Sequence, residues 1–282
     1  MCGRYAASSR PDDLVEEFEI EADRTGEPAR SVLASPQSPP PGTPDYNVAP
    51  TKQAPVVLTR APRSGEDEDG GGPVRQLRLL TWGLVPSWAK DIKVGLRMIN
   101  ARAETLLDKP AFAKAAAARR CLVPADGWYE WQASPTVTDR KGKPRKQPFF
   151  VRRADGKPMA LAGVYEFWRD PALPPDDPDA WLTTYAIVTQ AAEPGLDRIH
   201  DRQPLVLDPE QWAGWLDPAQ TDLDMVREQL QPGAPGRFEA WPIGAAVGSI
   251  RNNGPQLLEP VGRDQLEGVV DPTTGEIIGG SP

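Results

Sequence analysis

The chain has 282 residues, 39% of them hydrophobic, and a net charge of −8, so it can bury one sizeable core but offers no uniformly basic face to a polyanion. No run approaches the roughly 18 apolar residues of a membrane span, and the first residues lack the charged-then-apolar pattern of a signal peptide. Two cysteines, Cys2 and Cys121, and a single histidine, His200, can build neither a closed four-ligand zinc site nor a disulfide framework, so no metal and no cofactor are expected.

In chain order, Ser9 is placed to cap a helix through Phe18, with Pro11 and two aspartates in the first turn. Residues 24–44, rich in Pro and Ser, and residues 61–73, with the run Gly65-Glu66-Asp67-Glu68-Asp69-Gly70-Gly71-Gly72, read as low-complexity insertions. The glycines are no phosphate cradle, because no Gly-Lys-Ser/Thr follows and the carboxylates repel phosphate. Short apolar runs bounded by Pro, Gly and Asp predict strands over 55–59, 77–82, 121–123, 128–131, 149–152, 160–165, 184–189 and 204–207. Helices are expected over 105–119, 209–216 and 222–230, and the polar, basic stretch 134–148 reads as a hairpin tip or a DNA-contacting loop. Residues 2–261 thus form one α+β domain around a mixed, strongly curved, barrel-like sheet flanked by short helices, and 262–282 a C-terminal tail.

Cys2 follows the initiator methionine, and removal of Met1 would leave an amine and a thiol on one residue. An aldehyde condenses with such an amine as a Schiff base, and the thiol then adds to the imine carbon to close a thiazolidine. Reference pKa values of about 8 for the amine and about 8.5 for the thiol make both nucleophiles accessible near neutrality. Position alone leaves the alternative of an accidental, frayed terminal residue.

The continuation narrows the choice. Cys2-Gly3-Arg4-Tyr5 is followed by Tyr46-Asn47-Val48-Ala49-Pro50, Trp82-Gly83-Leu84-Val85-Pro86-Ser87-Trp88, Ile99-Asn100-Ala101-Arg102-Ala103-Glu104-Thr105 and Cys121-Leu122-Val123-Pro124-Ala125-Asp126-Gly127-Trp128-Tyr129-Glu130-Trp131. Ile199-His200-Asp201-Arg202 and Val247-Gly248-Ser249-Ile250-Arg251-Asn252-Asn253-Gly254 complete the series. This ordered set, spanning residues 2 to about 261, resembles the SRAP family of abasic-site processing proteins, also called SOS response-associated peptidases.

The resemblance implies a covalent link between Cys2 and the aldehyde of an abasic site in single-stranded DNA, and a catalytic set of Cys2, Asn100, Glu130 and His200. Asn100, neutral at every pH, can hydrogen-bond the N-terminal group or the opened sugar. Glu130, between two aromatic residues, suits proton transfer if burial raises its pKa; a strand glutamate otherwise faces solvent. His200, on an expected loop, matches the family histidine associated with ring opening or reversal, and is otherwise a surface bystander.

Arg4, Arg102 and Arg202 adjoin these residues and are candidates for phosphates, and Trp88 for stacking on a base. From Trp88 to Arg153 there are 15 Lys and Arg against 6 Asp and Glu, a local excess compatible with a phosphate track or with an ordinary solvated face. The resemblance implies a cytoplasmic monomer, nucleoid-associated at damaged DNA, without a membrane partner. Two rival readings stand: a peptidase acting through the N-terminal cysteine, whose self-removal of Met1 is compatible with crosslinking, and a non-covalent single-stranded DNA-binding module.

Overall fold

The computed structural model describes residues 2–60, 72–174 and 176–279. Five strands close on themselves. Trp181–Ala191, Met159–Arg169, Arg120–Ala125, Gln53–Arg60 and Val74–Trp82 pair antiparallel in that order, and Val74–Trp82 returns to Trp181–Ala191 through a parallel contact of Thr81 with Thr184 and Trp82 with Tyr185. Closure removes the free edges that an open sheet must otherwise protect.

These strands are apolar nearly throughout because both faces are covered. Val56, Leu58, Cys121, Val123, Leu161, Tyr185 and Ile187 join a cluster with Trp128, Phe149 and Val151 of a second sheet. The alternate residues, Val57, Leu122, Ala160, Ala162, Ala186 and Val188, pack beneath helices through Leu14, Phe18, Ala115, Trp212, Trp215 and Val226. The second sheet runs Phe238–Pro242, Pro144–Arg153, Gly127–Thr138, Tyr5–Ala7, Asp45–Val48. The expected α+β, barrel-like architecture is the observed one. No helix among the described residues is long and apolar enough to cross a membrane.

Several local expectations shift. The first helix is Pro11–Glu17 and is capped by Arg10, not Ser9, with the Asp13 carboxylate accepting the Arg10 N–H at 3.2 Å. The helix expected over 105–119 is only Ala113–Ala118, because Pro110 lacks an N–H and the chain before it forms turns. Pro209–Leu216 follows a capping box of Asp208 and Gln211. Residues 24–44 are tied to the barrel: the Gln37 amide donates to Gln53 O at 2.9 Å and accepts from Gln53 N at 2.6 Å, and Arg30 pairs with Asp170 at 2.7 Å. The expected insertion over 61–73 lies, apart from residues 72 and 73, outside the described residues.

The stretch after Gly262, expected as a tail, instead packs on the core. Leu266 and Val269 are buried, and Val269–Val270 pairs with Ile277–Ile278. These apolar anchors act together with the hydrogen bonds that Gly268 and Val270 make to Ser134 and Gln132, which composition alone conceals.

One buried charge ties helices to the barrel. Arg120, 3% exposed, donates from Nε to Trp215 O, from one terminal nitrogen to Ala116 O and Ala117 O, and from the other to Asp217 O and Gln220 O, at 2.6–3.0 Å. Five donors thus meet five carbonyls left over at helix ends and the following turn. Arg120→Met is expected to cost about 3–5 kcal/mol in urea unfolding. Arg120→Lys, with three donors, should recover only part of the loss; wild-type stability in either variant would refute this role.

Candidate active site

Tyr5–Ala7 lies antiparallel to Gly127–Thr138, with Tyr5 opposite Trp128, and Tyr129 N–H donates to Arg4 O at 3.0 Å. The chain upstream of Tyr5 therefore runs toward Glu130. From the other side, Asn100–Arg102 lies parallel to Trp181–Ala191, with Asn100 opposite Ile187. Asn100 Nδ2 donates to the Cys2 carbonyl oxygen at 2.6 Å. Two sheets thus bring Asn100, Glu130 and Cys2 together from positions remote in sequence.

Cys2 is fully buried, in one cluster with Tyr5, Trp82 and Tyr185. The hydroxyls of Tyr5 and Tyr185 are 2.6 Å apart, Trp82 meets Tyr5 edge-on, and Trp82 Nε1 donates to Ile99 O at 2.8 Å. This aromatic floor is polar only where a partner exists. Burial first, and the Glu130 charge second, push the Cys2 thiol well above its ordinary pKa, so the resting group is a thiol and not a thiolate. The reference value for a free cysteine therefore does not hold in the pocket.

Glu130 is 3% exposed, and burial pushes its carboxyl from an ordinary value of 4.5 up to about 7, where acid and base forms coexist near neutrality. Asn100 Oδ1 is buried and has no hydrogen-bond partner among the described residues, leaving an acceptor beside Cys2.

His200 follows the 3₁₀ turn Leu196–Arg198 and is half-buried. Arg202 N–H donates to its Nδ1 at 3.1 Å, and the same Nδ1 is 2.7 Å from Asp201 Oδ1. Both contacts cannot be hydrogen bonds of one protonation state. Burial lowers the His200 pKa, so the resting ring is neutral, and its Nδ1 either accepts from the Arg202 N–H or donates to the Asp201 carboxylate. The Asp201 charge also acts on Glu130.

The residues expected at DNA divide. Trp88, 62% exposed, and Arg102, also exposed, are accessible. The loop carrying Trp88 is pinned where Gly83, at φ +120°, passes Gly95 so closely that a Cβ would sit 2.7 Å from Gly95 O. Arg4 turns inward, one terminal nitrogen donating to Asn47 Oδ1 at 2.8 Å and to Val247 O at 2.9 Å. Arg202 is held in a fork by Glu104, at 2.6 and 2.9 Å, and by Thr189 O at 2.6 Å.

Asn47 and Glu104 carry no signal of their own in the sequence, although each sits inside one of the motifs. Asn47 Nδ2 donates to Val247 O, Ser249 O and Asn252 O at 3.0–3.2 Å, which staples the late motif to the opening strands. Among the described residues no group of three or more His, Cys, Asp and Glu is placed to hold a metal ion.

Because the folded protein favours the protonated Glu130, its stabilising effect is complete below about pH 4.5 and is lost as pH rises toward 7. The loss from this group is about 3 kcal/mol. Glu130→Gln should remove that slope, so the variant gains stability relative to wild type between pH 5 and pH 8 in urea unfolding. Parallel pH profiles would contradict the burial argument.

The profile of the family described as SOS response associated peptidase (SRAP) matches residues 1–250. The chain is 36% identical over 261 residues to Abasic site processing protein YoqW of Bacillus subtilis (strain 168), covering 92% of this chain and 99% of that one. It is 32% identical to Abasic site processing protein YedK of Escherichia coli (strain K12), covering 93% and 100%, and 29% identical to Abasic site processing protein HMCES of Rattus norvegicus, covering 92% and 76%. Among solved structures, a phage-related protein of Bordetella bronchiseptica is 31% identical with a TM-score of 0.58 over 89% of this chain and 99% of its own. A protein of Bacteroides thetaiotaomicron shares the fold at 20% identity, with a TM-score of 0.70 over 92% of this chain and all of its own. With the profile spanning most of its length, the chain belongs to the SRAP family.

Proposed function

We propose that this protein processes abasic sites by capturing the lesion aldehyde, in single-stranded DNA, as a thiazolidine on Cys2. The observation that supports this reading most is the convergence of the Asn100 amide and the buried Glu130 carboxyl on Cys2. The names of the relatives, abasic site processing proteins, point to the same substrate. Cytoplasmic action as a monomer fits the same reading.

The Cys2 amine attacks the aldehyde carbon, a C–N bond forms, and the carbonyl oxygen departs as water, leaving an imine. The S–H then adds across C=N: sulfur bonds to carbon and the proton goes to nitrogen. A thiol held protonated by burial suits this order, since the amine attacks first and the thiol gives up its proton only at ring closure. Glu130, titrating at about 7, protonates the departing oxygen and relays the thiol proton. Asn100 fixes the Cys2 carbonyl with Nδ2 and offers Oδ1 to a donor on the opened sugar. Neutral His200 is the group that exchanges a proton with the sugar oxygen. The peptidase in the family name corresponds here to cleavage of the Met1–Cys2 bond, because an acylated nitrogen has no basic lone pair.

Pure protein incubated with abasic single-stranded DNA should yield a denaturation-resistant complex. A tag or retained Met1 should abolish it although Cys2 remains. Cys2→Ala should give an adduct only when borohydride traps the imine, and Glu130→Gln should slow formation roughly 100- to 10,000-fold if proton transfer limits the rate. Mass spectrometry of the adducts reads all of these, and a stable adduct from protein with a blocked N-terminus would defeat the mechanism.

A further inference from the structure

The strand that carries Glu130 continues well past the pocket. Gly127–Thr138 and Pro144–Arg153 form a hairpin whose pairing runs from Trp128 opposite Val151, through Ala133 opposite Lys146, to Thr138 opposite Pro144. From Glu130 to Thr138 the arm reaches roughly 25 Å at about 3.3 Å per residue. Its far end carries Arg140, Lys141 and Lys143, and Lys146 stands nearer the pocket, opposite Ala133; all four are exposed and none is in an ion pair among the described residues. Asp139, the carboxylate at the tip, accepts the backbone N–H groups of Lys141 and Lys143 at 2.8 and 3.0 Å, so it organises the turn. Four unpaired cations on one arm stand out in a protein of net charge −8.

The arm is also braced. Ser134 Oγ donates to Gly268 O at 2.6 Å, and the Gln132 side chain donates to Val270 O and accepts from Val270 N at 2.9 and 2.8 Å. Arg145 pairs with Glu267. Gly268, at φ +64°, passes so close that a Cβ would sit 2.5 Å from Ser134 Oγ. The segment after Gly262 thus clasps the arm along one flank, and a clasped arm presents its charges at a fixed distance from the pocket. The near end is electrostatically continuous with the site, since the Lys146 charge bears on His200.

We propose that this braced basic arm is a phosphate rail: DNA leaving the Cys2 pocket on one side of the lesion lies along it, with its backbone phosphates on Arg140, Lys141, Lys143 and Lys146. The proposal rests on the DNA-processing reading and adds to it a one-sided footprint outside the catalytic pocket. Cations that contact phosphates without reading base edges give affinity that is indifferent to sequence and steep in salt.

The test uses full-length protein with Arg140→Ser, Lys141→Ser and Lys143→Ser combined, and abasic single strands with a flank on the 5′ side only, the 3′ side only, or about two nucleotides on each. At about 3.4 Å or more per nucleotide, a flank of about ten nucleotides more than covers the arm. On one of the long-flank strands the triple variant should bind at least about 10-fold more weakly at low salt. Its log–log salt slope there should be shallower by about 2, at about 0.7 for each phosphate that the variant no longer neutralises. On the opposite flank and on the short strand, binding and crosslinking should equal wild type, which also shows that the variant is folded. Repeating the sensitive arm with its flank annealed to a complement tells whether the rail takes a single strand or a duplex. Equal affinities on every strand, or a deficit that persists on the short strand, would overturn the rail. Absence of crosslinking by wild type itself would overturn the DNA-processing reading and the rail with it.

Discussion

Closure of the five-strand barrel by the short parallel contact between Thr81–Trp82 and Thr184–Tyr185 is the constraint on which the site depends. It sets Trp82 over Tyr185, and Trp82 in turn holds Ile99 through its indole N–H, one residue before Asn100. Asn100–Arg102 then docks on the same strand farther along, beside Ile187, so the amide that grips Cys2 is positioned by the joint that seals the barrel. Parallel pairing of two strands this far apart in the chain needs a long connection, and residues 83–180, which include the barrel strands Arg120–Ala125 and Met159–Arg169, supply it.

Placing Cys2 in this enclosure has opposing consequences. Burial makes the thiolate scarce, which penalises any mechanism that starts from sulfur. The same burial raises Glu130 into the range where it both gives and takes protons. One low-dielectric pocket therefore suppresses adventitious thiol chemistry and equips the neighbouring carboxyl, a division of labour that follows from desolvation alone.

Much of this was legible in the sequence. The barrel strands announce themselves because burial on both faces gives near-continuous apolar runs, as in residues 120–125 and 159–165. The resemblance, not periodicity, singled out Asn100 and Glu130, since a lone amide or glutamate in a short strand carries no signal of its own. Strands of three to five residues such as Tyr5–Ala7, Asn100–Arg102 and Phe238–Pro242 were invisible because too few positions exist to display an alternation. The inward turn of Arg4 and the fork of Arg202 on Glu104 were beyond reach for a different reason: an arginine's partner is chosen by tertiary placement, and a motif records only that an arginine is required. The anchoring of residues 262–279 was hidden likewise, because two buried apolar side chains in a polar stretch do not register as core until their partners are known.

The staple made by Asn47 has a consequence for the order of events at the ribosome. Arg4, Asn47 and the carbonyls of Val247, Ser249 and Asn252 form one hydrogen-bonded knot that joins the first residues synthesised to nearly the last. Contacts of such sequence separation form late, after loop-closure entropy has been met by the rest of the fold. Cys2 emerges first, yet the walls that bury it, from Asn100, Glu130 and the knot at residues 247–252, are completed only when most of the chain has been made. The long-range knot therefore couples completion of the chain to enclosure of its first residues, so a pocket able to act on the N-terminus exists only once nearly all of the protein has been made.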